Sequence, residues 1–146
     1  MHASYGRAML RAGHLEHQIA TILMVDSIKD KNGLCLDLIK KMPLGALVKR
    51  FNNRLSPGDR LSEELDNMVF FRNQLAHRIA DTILQCSSSE QWMLKVTEEL
   101  NEIASLFEET LTLLSPYIEY CCETLGVTHS EVRMLFDSIY PNIGKG

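Results

Sequence analysis

No stretch of this 146-residue chain approaches the roughly 18 consecutive apolar residues of a membrane span, so no membrane association is expected. The opening segment, MHASYGRAML, lacks a basic stretch followed by an apolar one, which argues against a secretory signal. There is no G-x-G-x-x-G and no Walker sequence, and this argues against a nucleotide-driven enzyme. Internal repeats, low-complexity tracts and linkers are absent too, so residues 1–146 read as one domain. Strand character is weak, because the β-branched residues are scattered and do not alternate with polar ones. Cysteine is limited to four positions, Cys35, Cys86, Cys121 and Cys122, whose spacing fits no zinc template. Free thiols in a reducing cytoplasm are the economical reading. His14 and His17, spaced i, i+3, lack a third ligand, and Cys121–Cys122 with His129 reads more simply as free thiols than as a redox or metal site. No metal and no cofactor are therefore expected.

What is present is helical periodicity. Hydrophobic residues make up 45% and charged residues 23%, an ordinary balance for a globular chain with enough length to bury a core. A first helix is expected from about Tyr5 to Ile28, with Leu10, Leu15, Ile19, Ile22, Leu23 and Val25 near its buried side and Asn32-Gly33 as its stop. A short apolar piece, LCLDLIKKM, runs up to Pro43, and LGALVKRFNNR follows as a short helix. LSPGD is a loop, since Pro57-Gly58 is turn chemistry.

The next helix is expected from about Arg60 to Leu84, on a stripe of Leu61, Leu65, Met68, Arg72, Leu75 and Ile79. Ser87–Glu90 reads as a capping box opening another helix, with Met93, Val96, Leu100, Ile103, Phe107, Leu111, Leu114 and Ile118 as its core stripe. Ser115-Pro116 permits a break or a kink before Gly126 ends it. Thr128–Glu131 is a second capping box, opening a last short helix to about Ile139. The expectation is an all-α, up-down bundle of four main helices plus short ones.

Charge is unevenly spread. The net charge is −4, yet residues 1–60 carry ten Lys and Arg against five Asp and Glu, and residues 61–146 carry five against fourteen. Lys40, Lys41, Lys49, Arg50, Arg54 and Arg60 crowd into 40–60, where Asp59 is the one acid. Such a patch reads either as a solvated basic face or as a polyanion contact. Glu98-Glu99 and Glu108-Glu109 sit off the apolar stripe and read as solvated surface.

Arg72 is the anomaly. At 100° per residue it falls inside the apolar stripe, where a charge costs several kcal/mol unless it is paired or used. Phe70, Asn73, His77, Ala80 and Leu84 form a second grouping about 100–180° round the axis. That face needs a cover, either another helix of the same chain or a second copy of this one. Asn73 and His77 are spaced i, i+4, so the amide can orient the imidazole. Arg72 and His77 lie about 140° apart and share no face, but two copies about a two-fold axis can line one groove with two Arg and two His. Such a groove suits RNA cleavage without a metal. The imidazole moves a proton near neutral pH, the guanidinium binds phosphate, and RNA supplies its own 2′-hydroxyl nucleophile. On a purely structural reading, Glu102 or Asp66 neutralises Arg72 and His77 is a half-buried surface residue.

RNQLAH, Arg72 to His77, resembles the R-x4–6-H signature of the HEPN superfamily (higher eukaryotes and prokaryotes nucleotide-binding), in which a polar residue commonly follows the Arg. The order of segments is also similar: a long first helix, an lG.L...f segment (here LGALVKRF, Leu44 to Phe51), a loop, and then the motif helix. The resemblance covers roughly residues 5–125 and implies an all-α bundle that dimerises with its motifs facing. It implies a metal-independent endoribonuclease of toxin–antitoxin, phage-defence or stress systems, leaving a 2′,3′-cyclic phosphate. Carried onto this chain, the catalytic residues are Arg72 and His77, with Asn73 in support. Lys49, Arg50 and Arg54 then become candidate RNA-phosphate contacts. An antitoxin or regulatory protein is an implied partner, but Ile79 stands where one subgroup has the tyrosine its nucleotidyltransferase antitoxin modifies. The superfamily also includes non-catalytic modules that bind a nucleotide or a protein, or only dimerise.

Overall fold

In the computed structural model of the chain, the described residues are 2–29, 36–79, 81, 89–126, 128, 130, 131 and 134. The fold is all-α, and among the described residues there is no strand. Among the described residues five α-helices follow in order: α1 His2–Lys29, α2 Leu36–Lys40, α3 Leu44–Leu55, α4 Asp59–Gln74 and α5 Glu90–Leu125. A π-helical turn, Leu75–Ile79, continues directly from α4. None of the described helices is long and apolar enough to cross a membrane.

The core forms where α1 lies along α5. Ala8, Ala12, Leu15, Ile19 and Ile22 of α1 meet Leu100, Ala104, Phe107 and Leu114 of α5, all buried. α3 and α4 close the cluster with Leu47, Phe51, Leu61, Leu65 and Met68. Phe51 of α3 packs edge-to-face on Tyr117 of α5, ring centroids 5.2 Å apart, a geometry aromatic pairs prefer. Two ion pairs tie elements together at the surface, Arg11–Glu108 (2.8 Å) between α1 and α5 and Arg54–Asp26 (3.0 Å) between α3 and α1.

Several details differ from the expected stripes. Leu10 is 56% exposed, because it stands about 140° round the axis from Leu15, and Ala8 and Ala12 take the inward positions. Met93 lies on the α5 stripe yet is 41% exposed. At about 1.5 Å per residue, α5 spans about 54 Å and α1 about 42 Å, so an end turn of α5 outruns its main partner. α5 also passes through Pro116 as one helix of 36 residues, so Ser115 does not cap a new one.

The helix ends show which capping signals act. α5 starts at Glu90, and its cap is Ser89, whose hydroxyl accepts from the Trp92 amide at 3.3 Å. The expected box with Ser87 as cap is therefore two residues early. The second box forms as read: the Thr128 amide donates to Glu131 Oε2 at 2.6 Å, and the Glu131 amide donates to Thr128 Oγ1 at 3.2 Å. The expected continuation to Ile139 lies largely outside the described residues. Gly126 ends α5 with φ of 66°, a left-handed conformation that suits glycine.

α3 ends less comfortably. Ser56 takes φ of 43° and ψ of 57°, immediately before Pro57. A side chain in that region costs about 1–2 kcal/mol. Ser56→Gly is expected to raise stability by about 0.5–1 kcal/mol in urea denaturation. No gain would show that the Ser56 side chain contributes something that offsets the strain.

Candidate functional site: the switch from α to π within the motif

The RNQLAH segment spans the point where the motif helix changes its winding. Arg72, Asn73 and Gln74 are the last α-helical residues, and Leu75, Ala76 and His77 begin the π turn. The expected plain helix to Leu84 is thus corrected at Leu75, and residues 80 and 82–84 lie outside the described ones. A π turn bonds i to i+5 rather than i to i+4, so each residue advances less than 100°. The angle between Arg72 and His77 therefore shrinks below the 140° of a regular helix, but the two still occupy different faces. π turns inside helices occur frequently at functional sites.

The anchor of the turn is Leu75. Its side chain is fully buried in the core. Its carbonyl accepts a hydrogen bond from the Tyr5 hydroxyl of α1 at 3.1 Å. The next exposed residue of the segment is His77, with Asn73 and Phe70 also exposed before it. Phe70 is 57% exposed and its ring meets Phe71 edge-to-face at 5.7 Å. The second face read from sequence is therefore open at Phe70, Asn73 and His77. Ala80 and Leu84 are outside the described residues. Asn73 and His77 are not joined by a hydrogen bond among the described residues, so the expected orientation of the ring by the amide is not made in the single chain.

Arg72 is half-buried, as its place in the stripe requires. Asp66 and Glu102, the carboxylates that the purely structural reading offers for Arg72, are both exposed. Among the described residues, Glu16 of α1 is a carboxylate on which its charge acts. Burial pushes the Glu16 carboxyl above the usual carboxylate range, and the Arg72 guanidinium pulls it part of the way back. Desolvation and an opposite charge act in contrary directions here, and desolvation is the larger. Glu16 also lines a cleft of about 160 Å³ with His17, Ile39, Lys40 and Leu47. That is smaller than the roughly 300 Å³ at which small-molecule pockets begin, so it does not suit a nucleotide.

The basic residues of α3 are placed differently from one another. Lys49 is exposed and Arg50 half-buried. Arg54 donates from Nε to Asp26 Oδ2 at 3.0 Å, so part of its guanidinium is committed to holding α3 on α1. α3 itself lies against the motif helix: a Cβ on Gly45 would stand 3.6 Å from Val69 Cγ1 of α4. Among the described residues no cluster of three potential metal ligands occurs. Cys122 is a buried free thiol, held protonated first by burial and then by Glu119 and Glu123. Cys35, Cys86, His129 and the Cys121 side chain are outside the described residues.

Tyr5 and Glu16 are the site residues that sequence reasoning missed. They are 11 residues apart, which is about three helical turns, so they lie on one line along α1. That shared line is a signal only once α4 is known to face it.

No family model, curated protein or solved structure matches this chain.

The Glu16–Arg72 relation has a measurable consequence. A carboxyl whose folded value is raised contributes stability that is full below its ordinary value, about 4.3, and is lost as pH rises through the raised value. Arg72→Met removes the charge and keeps the stem. The Glu16 side-chain carboxyl, followed by NMR, is expected to titrate at higher pH in that variant. A midpoint equal to wild type would show that Arg72 does not act on Glu16.

Proposed function

We propose that this chain is a metal-independent endoribonuclease of the HEPN type, acting as a homodimer in which two copies of the motif helix line one groove. The observation that carries the reading is the change from α to π winding inside RNQLAH. It leaves Asn73 and His77 exposed next to an exposed Phe70, while Arg72 stays half-buried. An uncovered aromatic beside polar side chains is the kind of face a second copy covers.

In the proposed reaction one His77 takes the proton of a ribose 2′-hydroxyl. The 2′-oxygen then forms a bond to the adjacent phosphorus, and the bond from phosphorus to the 5′-oxygen breaks. The second His77 gives the departing 5′-oxygen its proton. The products are a 2′,3′-cyclic phosphate and a 5′-hydroxyl, so atoms and charge balance without water or metal. Arg72 neutralises the extra charge on the phosphoryl oxygens in the transition state. Asn73 supports the imidazole. Lys49 and Arg50 hold flanking phosphates and set affinity rather than rate. Arg54 has a smaller part in this, because Asp26 already engages it. The surplus of acid in residues 61–146 suits a basic antitoxin or regulatory protein as partner.

A second reading has one observation in its favour. Glu16 sits in the field of Arg72, as it would if the arginine were a structural charge in a non-catalytic helical module that binds a protein or nucleotide. Cleavage assays separate the two. Purified wild-type protein in EDTA is expected to cut single-stranded RNA to products ending in 2′,3′-cyclic phosphate. His77→Ala is expected to lower the rate by at least about a hundredfold while leaving helicity and oligomeric state unchanged. Equal cutting by the two proteins, or none by either, favours the binding module.

A further inference from the structure

His77 makes no side-chain hydrogen bond to any described residue, and its ring is exposed. A catalytic imidazole in that situation takes its direction from the backbone that carries it. Here that backbone is a π turn, a winding that is rare and confined mostly to single turns. What holds the turn therefore decides where the ring points.

The turn is held at its first residue by two contacts of different kinds. The Leu75 side chain is fully buried between helices. The Leu75 carbonyl accepts from the Tyr5 hydroxyl at 3.1 Å, across 70 residues of chain. Leu75 is where the ladder changes from i→i+4 to i→i+5 bonding, and a side chain reaching into a helical ladder is a recognised cause of such local rewinding. Tyr5 is itself half-buried and packed on the core, so its hydroxyl is delivered from a fixed ring. Van der Waals packing of that ring needs only a phenyl group. The hydroxyl adds one function, a bond to the backbone two residues before His77.

We propose that Tyr5 is a positioning residue for His77: its hydroxyl, bonded to the Leu75 carbonyl, holds the π turn that aims the imidazole into the groove. This rests on the reading of Arg72 and His77 as the reacting pair. The role is not catalysis by Tyr5, which touches neither substrate nor the reacting atoms. A single deletion of the hydroxyl leaves the ring, the core contacts and the fold in place, and releases the turn.

The test uses full-length Tyr5→Phe beside wild type. Two-dimensional NMR of the imidazole carbons and protons reads His77 directly, with His14 as an internal control further along α1. The His77 resonances are expected to move and the His14 resonances to stay. Amide exchange over Leu75–Ile79 is expected to quicken several-fold, with the melting transition still cooperative. In RNA cleavage, kcat is expected to fall about tenfold with KM within about twofold of wild type, since the loss is of alignment and not of binding. Unmoved His77 resonances overturn the proposal whatever the exchange rates do, and so does an unchanged kcat. The NMR arm does not depend on turnover. Wild-type protein that cleaves nothing would contradict the ribonuclease reading, and the His77 resonances would still decide whether Tyr5 holds the ring.

Discussion

Leu15 and Ile19 have no exposed surface, and the helix that carries them touches each of the other four described helices and the π turn. That packing is the constraint on which the remaining structure depends. With α5 along one side of α1, the room left for α3 and α4 is limited to the sides α5 does not cover. α4 and the π turn must then turn Leu61, Leu65, Met68 and Leu75 inward, and Arg72 is carried part of the way with them because it shares their stripe. The charge is tolerated because it is only half-buried.

The same helix also governs the turn that follows. Tyr5 and Glu16 act on the motif from one line of α1, the first through a neutral hydrogen bond to Leu75 and the second through charge on Arg72. One contact fixes backbone and the other tunes electrostatics. Between them the motif is divided: Arg72 is half-buried, and Asn73 and His77 are exposed with Phe70. A single copy of the chain therefore presents half of the proposed chemistry on its open face. The proposed reaction uses the His77 of both copies, which is why its groove needs two.

Much of the helical framework was legible from periodicity. The stripes of Leu15, Ile19 and Ile22, of Leu65 and Met68, and of Leu100, Phe107 and Leu114 are all buried, because where a helix has a partner alongside it burial follows angular position and residue type. Leu10 was misplaced by proximity in sequence to that stripe rather than angle. The start of α5 was misread because three serines in a row, Ser87 to Ser89, all satisfy the capping preference, and which one caps is decided by where the chain enters the helix. The switch to π winding at Leu75 left no local signature. It is associated with a hydroxyl 70 residues away, and a nonlocal bond does not register in a window of neighbours. The residues of the motif itself, Arg72, Asn73 and His77, were visible as a charge out of place and a histidine at helical spacing. Their supports on α1 were not, because Tyr5 and Glu16 are unremarkable on an amphipathic helix until its partner is known.

The central claim is that Arg72 and His77 act in one groove shared by two copies. It is tested most directly by mixing. Wild-type and His77→Ala proteins in equal amounts are unfolded together, refolded and assayed for RNA cleavage in EDTA. A groove that uses the histidines of both copies predicts that mixed dimers are inactive, so that the mixture keeps about a quarter of the activity of the same amount of wild-type protein. A mixture that keeps half, with mixed dimers confirmed by mass spectrometry, would contradict it.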